Sequence, residues 1–217
     1  MDGLQFFDPQ QDFSVASKSL PHWAQAGTVC FITWRTRDSL PAAVVQQLDQ
    51  ERRELLQSYL LNPVGNWKAE VAKLPPRDRG RIQWALFNAW DRHLDRGAGA
   101  CVLARPELSQ IVANSLLHFD GDRYVLTDAV VMPNHVHLLV AFREEHMLLS
   151  QCSSWKRYTA RQIQASLGQR GEFWQVEQFD HLVRSPEYFE QYRQYIADNP
   201  RKANLPPGSY RLYSKPP

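Results

Sequence analysis

Two histidines that lie two residues apart, His135 and His137, carry the clearest chemistry in this 217-residue sequence. They flank Val136 in a run of strand-forming residues, and side chains two apart on a strand project from the same face of its sheet. Neighbouring imidazoles on one face are suited to bind a divalent cation. The pair is also compatible with ordinary surface or packed histidines. Its position at a strand start, just after the Pro133-Asn134 turn, favours a metal site because side chains there open onto a cleft.

Two other classes of phosphate-handling enzyme carry alternating histidines, and both fit the sequence poorly. A histidine-triad nucleotide hydrolase needs a third histidine at position 139, which is Leu139. A two-histidine phosphodiesterase needs two separate His-x-Thr or His-x-Ser motifs, whereas the chain has one His-x-His pair and Leu138 follows it. We therefore set both classes aside.

The sequence around the pair resembles a known signature. Residues 132–140 read MPNHVHLLV, which is similar to the HUH motif (histidine, hydrophobe, histidine) of the single-tyrosine transposases, particularly the REP-associated tyrosine transposases. A second block with the same likeness comprises FWQ at 173–175, FDHLVR at 179–184 and YIADNPRKA at 195–203. The resemblance covers roughly residues 123–205 together with a first strand near residues 28–36. It implies a fold, an activity and a set of site residues.

The implied activity is cleavage and strand transfer of single-stranded DNA near small imperfect hairpins. In this family a tyrosine oxygen bonds to the 5′ phosphate of the cut strand and a 3′ hydroxyl is released. The resemblance also implies a Mg²⁺ or Mn²⁺ cofactor, which neutralises charge during phosphoryl transfer. Storing the phosphodiester on tyrosine preserves its bond energy and permits rejoining to a new end.

Two tyrosines are candidates for the nucleophile. Tyr195 begins the YIADNP block that resembles the family's nucleophile segment, whereas Tyr158 follows Lys156 and Arg157, two cations suited to hold phosphates, on an earlier predicted helix. We favour Tyr195. Tyr188 and Tyr192 lie on the same helical stripe, so an aromatic core face is the alternative interpretation.

Asn199 completes the expected metal site. It lies four residues after Tyr195 and so shares its helical face, and the resemblance implies that its amide oxygen joins the two histidines at the cation. Some relatives carry glutamine there. Candidate DNA contacts, each also explained by an ordinary structural role, are Arg184, His181, Lys156 and Arg157.

Two functions remain open beside the transposase. A metal-dependent nuclease would cut without a covalent intermediate, and a domesticated hairpin-binding protein would keep every motif without catalysis. The intact histidines, Tyr195 and Asn199 favour catalysis over binding alone.

Composition limits the class of protein. With 43% hydrophobic and 22% charged residues the chain is typical of a soluble globular protein, and its formal charge of +2 excludes an overall basic coat but not a local basic groove. The three cysteines, Cys30, Cys101 and Cys152, are odd in number and lack a CxxC pair, so we expect reduced thiols rather than a disulfide frame or zinc site. No apolar run predicts a membrane span, and we expect a cytoplasmic protein of bacterial type.

Hydrophobic periodicity predicts the elements that position these residues. We expect a loosely structured arm over residues 1–22 and an extended, proline-rich tail over 206–217. Between them we expect strands at 28–36, 123–132, 135–142 and 179–184, and helices at about 41–59, 79–96, 106–119, 148–167 and 186–198.

This order predicts an α+β fold. It matches a ferredoxin-like antiparallel sheet with helices on one face, plus an inserted helical region at 37–120 after the first strand. We expect one domain over residues 1–217. We also favour a monomer over a dimer, because the resemblance is strongest to the REP-associated group.

Overall fold

The computed structural model describes residues 4–17 and 21–215. The chain divides into two compact units, one formed by residues 1–37 with 100–217 and the other by residues 38–99. The single-domain assignment over residues 1–217 stays a prediction.

The first unit is built on a five-stranded antiparallel sheet, which confirms the predicted α+β class. Its strands follow the order β6-β3-β5-β4-β7. Their bounds are β3 Val29–Arg35, β4 Tyr124–Val131, β5 His135–Phe142, β6 Phe179–Leu182 and β7 Arg211–Ser214. The predicted strands are therefore confirmed, and β5, which carries the histidine pair, lies at the centre.

One face of the sheet packs against two helices, α4 (Pro106–Leu117) and α5 (Met147–Leu167). Alternate residues of β3 and β5 point to this side, among them Trp34 and Val136, which are at most 1% exposed. Trp34 stacks on Trp155 of α5 with ring centroids 5.9 Å apart. This face is the main hydrophobic core. It includes α4, which the sequence analysis placed in the helical insertion.

The opposite face carries the histidines and is covered by α6 (Pro186–Lys202). Ser185 caps this helix by accepting a hydrogen bond from the Tyr188 backbone N–H, and Pro186 occupies the first turn. Tyr192 of α6 stacks on Phe31 of β3 at 4.5 Å between ring centroids. The expectation of helices on one face holds for α4 and α5, whereas α6 covers the other face, where aromatic rings such as Phe31 give it a surface to pack on.

The end of α6 was predicted wrongly. We expected it to stop near residue 198 because a proline disfavours helical backbone geometry in the residue before it. The helix nevertheless continues through Pro200 to Lys202. Burial explains this: Asn199 and Pro200 are both buried, and the packing of this last turn outweighs the missing proline N–H.

The N-terminal arm is more ordered than predicted. Strands β1 (Ser14–Ser17) and β2 (Pro21–Ala24) form an antiparallel pair, and the backbone of Phe7 donates to the carbonyl of Val183 at 2.8 Å. His22 of β2 contacts the carboxylate of Asp180 in β6, which fixes the hairpin to the sheet edge. Residues 1–3 and 18–20 lie outside the described part.

The second unit is helical. It comprises α1 (Ala42–Ser58), α2 (Trp67–Lys73) and α3 (Pro76–Leu94), and α2 was not predicted. Two apolar clusters hold it, one around Leu48 and Ala89 and one around Leu56 and Ile82. Its helices fit the predicted helical region, except that the unit spans residues 38–99 rather than 37–120.

Candidate metal and nucleophile site

The histidine pair lies on one face of β5, as its spacing predicts. In the antiparallel register His137 is opposite Thr33 of β3 and His135 is opposite Arg35. The two rings meet edge to face with centroids 4.6 Å apart, and ring nitrogens of the two side chains come within 4.8 Å of each other. This separation suits two ligands of a single cation.

Each imidazole is oriented through its Nδ1 atom. His135 Nδ1 lies 2.7 Å from the side-chain oxygen of Asn134, and His137 Nδ1 lies 2.7 Å from the hydroxyl oxygen of Thr33. Because Asn134 offers an acceptor, Nδ1 of His135 carries the proton, and Nε2 is then the nitrogen that can coordinate a metal. Such partners fix both ring orientation and tautomer in metal sites.

Tyr195 comes to this pair from α6. Its ring lies edge-on to His137 with centroids 5.3 Å apart and edge-on to Phe31 at 5.8 Å. Phe31 also stacks on His137 at 5.7 Å, so one phenylalanine supports both the metal-ligand candidate and the tyrosine. The structure therefore brings together the two halves of the site that the sequence analysis linked.

Asn199 follows one turn later on α6, and its side chain is fully buried. Neither its amide oxygen nor its amide nitrogen has a hydrogen-bond partner among the described residues. A buried amide without partners costs about 1–3 kcal/mol, so its survival here calls for a ligand. Two imidazole nitrogens and an amide oxygen form a donor set that could hold a divalent cation. The residues present fit the implied metal.

The other tyrosines of α6 take different positions. Tyr192 is buried, and burial raises the pKa of its phenol well above the ordinary value, so it is a poor source of phenolate. Tyr188 is 53% exposed. The aromatic-core interpretation therefore applies to Tyr192 but not to the whole stripe.

His181 and Arg184 lie near the site on the edge strand. His181 is opposite Phe31 in the register between β3 and β6, and its ring is 6.3 Å from that of Tyr192. Burial, followed by the nearby Arg184 cation, lowers the pKa of His181 to about 4, so the ring is neutral at physiological pH. The Arg184 side chain is exposed.

The remaining candidates lie on α5, on the other side of the sheet from the histidines. Tyr158 is 47% exposed there, and Arg157 is exposed as well. Lys156 donates to the Val176 carbonyl at 2.7 Å and to the Gln178 side-chain oxygen at 2.8 Å. The structure does not bring these three residues to the His135–His137 pair.

The sequence analysis missed three residues that surround the site. Thr33 and Arg35 share the histidine face of β3, a placement that strand alternation from Phe31 could have revealed. Burial lowers the pKa of Arg35 to about 10, which still leaves the guanidinium charged near neutral pH. The third is Lys202, whose Nζ lies 5.0 Å from the centre of the Tyr195 ring. Its spacing of seven residues from Tyr195 on one helix was the available signal.

The described residues contain no helix long and apolar enough to cross a membrane. Cys30, Cys101 and Cys152 form no disulfide, and burial raises the pKa of the Cys30 and Cys152 thiols.

Comparison with known proteins finds a similarity that includes the region holding the site. No curated protein matches the chain. A solved structure of a REP-associated tyrosine transposase bound to a REP hairpin is similar to it at 15% identity and a TM-score of 0.43, covering 86% of this chain and 74% of the other. The family described as "Transposase IS200 like" matches residues 105–199, a segment that includes His135, His137, Tyr195 and Asn199. This match confirms the resemblance drawn from the motifs: residues 105–199 are similar to the IS200-like transposases.

Proposed function

We propose that this protein cleaves and rejoins single-stranded DNA near hairpins through a covalent bond between Tyr195 and the 5′ phosphate of the cut strand. The supporting observation is the arrangement of His137, Tyr195 and Asn199. A tyrosine ring lies 5.3 Å from an anchored histidine, one helical turn before a buried amide without a hydrogen-bond partner in the described chain. A packed aromatic face alone would not need that amide.

His135, His137 and Asn199 would hold a Mg²⁺ or Mn²⁺ ion. When bound, the ion supplies positive charge that polarises the scissile phosphate. Asn134 and Thr33 keep the imidazoles in the orientation and tautomer that this requires.

Tyr195 is the nucleophile in this proposal. Its phenolic oxygen bonds to phosphorus while the bond from phosphorus to the 3′ oxygen breaks; the phenol loses its proton and the departing oxygen gains one. The number of phosphodiester bonds is unchanged and no water is consumed, so the 3′ hydroxyl of the same or another strand can reverse the step. Lys202, whose ammonium lies over the Tyr195 ring, places a positive charge beside the nucleophile.

The position of Tyr158 on α5 disfavours it as the nucleophile, because the sheet separates α5 from the histidines. Tyr195 belongs to the same chain as the histidines it contacts, which is the arrangement that a monomer with a self-contained site requires. Arg184, exposed at the sheet edge, is the preferred candidate for DNA contact among the four. His181 would contribute as a neutral ring, and Lys156 and Arg157 would meet only DNA that passes over α5.

The test is a denaturing gel with a single-stranded hairpin library labelled at either end, in the presence of Mn²⁺. We expect a covalent protein–DNA band in the wild type and in Tyr158→Phe, and none in Tyr195→Phe. Loss of the band only in Tyr158→Phe would overturn the assignment of the nucleophile. Cleavage without any covalent band would indicate a nuclease, and hairpin binding without cleavage would indicate a binding protein.

A further inference from the structure

A partly buried polar network attaches α6 to the sheet close to Tyr195. Arg193 Nε donates to both carboxylate oxygens of Asp128 in β4, at 3.2 and 3.1 Å. Its Nη2 donates to the Ser214 hydroxyl at 3.1 Å and to the Lys215 carbonyl at 3.2 Å. Ser214 in turn donates to Asp128 at 2.6 Å. We call these four residues the α6 lock.

The lock is rigid for physical reasons. The Asp128 side chain is 3% exposed and that of Arg193 is 16% exposed, so the Asp128 carboxylate depends on Arg193 and Ser214 rather than on water for its hydrogen bonds. Charge-assisted bonds shared among three elements restrict one another's geometry. By contrast, Glu190 contacts Arg193 at 3.6 Å from a side chain that is 67% exposed, and such a pair contributes little.

The lock also lies where it controls the direction of Tyr195. Asp128 projects from the histidine face, since it pairs with Leu139, two residues beyond His137 on β5. Arg193 precedes Tyr195 by two residues, so its side chain projects from a different side of α6 than that of Tyr195. The Tyr192–Phe31 stack holds the helix at one point, and a second, separate attachment is what prevents rotation about the helix axis.

We propose that the α6 lock is a positioning device for cleavage: it sets the rotation of α6 and thereby aims Tyr195 and Asn199 at the two histidines. Strand β7 becomes part of the catalytic unit, although Ser214 and Lys215 lie beyond the matched residues 105–199. The backbone of Lys215 also donates to the Thr127 carbonyl at 2.7 Å, which fixes this end of the chain beside Asp128. The proposal rests on the proposed function: on the covalent chemistry for its effect on cleavage, and on the proposed ligand set alone for its effect on metal coordination.

The first measurement is the single-turnover rate of covalent adduct formation at saturating hairpin, alongside the Kd for the hairpin. The variants are Arg193→Gln and the milder Ser214→Ala, each confirmed as folded by thermal unfolding, with Glu190→Gln as the matched control. A displacement of about 1 Å can lower a rate about 100-fold, so we expect Arg193→Gln to lose about 10- to 100-fold in rate with Kd changed less than about threefold. We expect Arg193→Lys to recover part of the rate because lysine keeps the positive charge but offers one donor nitrogen in place of the two that Arg193 uses. Ser214→Ala should lose less than Arg193→Gln, and Glu190→Gln should match the wild type.

The second measurement does not depend on catalysis. With Co²⁺ as the probe, the visible absorption of Arg193→Gln should shift toward that of Asn199→Ala, because a rotated α6 withdraws the amide oxygen. If Arg193→Gln kept both the wild-type rate and the wild-type Co²⁺ spectrum, the positioning role of the α6 lock would be refuted. It would also be refuted if the variant lost only hairpin affinity, with its rate unchanged. A wild type that forms no adduct would refute the proposed function, and the Co²⁺ spectra would still decide on the lock.

Discussion

Replacing Asn199 by alanine should stabilise the metal-free protein, although truncation of a buried side chain normally destabilises. Both polar atoms of its amide are buried without hydrogen-bond partners in the described chain. That arrangement costs about 1–3 kcal/mol in free energy of unfolding. Alanine also gains roughly 0.5 kcal/mol in helix propensity over asparagine. Against this stands a loss of packing contacts of about 1 kcal/mol for a small side chain.

The expected balance is a gain of about 1–2 kcal/mol in the absence of metal. For a chain of this size it corresponds to a rise in Tm of about 2–8 °C. With Mn²⁺ at about 100 times its Kd, the wild type should gain about 2.7 kcal/mol from binding, whereas Asn199→Ala should gain less. The order of stability of the two proteins should therefore reverse between metal-free and metal-saturated solution.

Chemical denaturation, first with a chelator and then with Mn²⁺, measures the free energy of unfolding of each protein without metal and with metal. Gln194→Ala, an exposed amide on the same helix, is the matched control and should change stability by less than about 0.5 kcal/mol in either condition. If Asn199→Ala lost more than about 1 kcal/mol without metal, the amide would have to be satisfied within the protein. An unchanged response to Mn²⁺ would remove Asn199 from the ligand set.

Three further predictions test other parts of the site and core. Thr33→Val should weaken Mn²⁺ binding about 10- to 100-fold in calorimetry because His137 loses its Nδ1 partner, and an unchanged affinity would contradict this role. The pKa of His181 is lowered to about 4 in the folded protein. As pH falls, His181 is therefore protonated in the unfolded chain before it is protonated in the folded one. The free energy of unfolding should then drop between about pH 6.5 and 4 by on the order of 2–3 kcal/mol, and urea titrations of His181→Phe should show a flatter profile. Trp155→Ala should cost about 3–5 kcal/mol in the same assay because the ring is 2% exposed in the main core; a loss below about 1 kcal/mol would argue against that packing.

The sheet and the histidine face could be predicted because their signals are local. A period of two across β5 places His135 and His137 together, and a spacing of four on α6 aligns Tyr195 with Asn199. The turn before His135 and the cap at Ser185 are equally short-range signals, and both were read correctly. These patterns predict the face of the strand or helix from which each side chain projects. For a site built on one face of a sheet, that is enough to predict which side chains lie together.

The errors have one common cause, which is contact between residues distant in the sequence. Strand β7 joins the sheet by pairing with β4, and nothing in its four residues distinguishes a strand from an extended tail. The N-terminal arm is ordered by backbone hydrogen bonds to Gly27, Val29 and Val183. Helix α6 continues through Pro200 because its last turn is buried. The Arg193–Asp128 pair joins residues 65 positions apart, and no local pattern connects them.

The two halves of the site are attached in different ways, and this should separate their functions. The histidines belong to the central strand and are fixed by Asn134 and Thr33 within the sheet. Tyr195 and Asn199 belong to a helix laid across that sheet, and ring contacts and the α6 lock hold them in place. A change at the histidine anchors must therefore weaken metal binding and cleavage together. A change at the helix attachments leaves both imidazoles in place and should reduce cleavage more than metal affinity, because only one of the three ligands moves with the nucleophile.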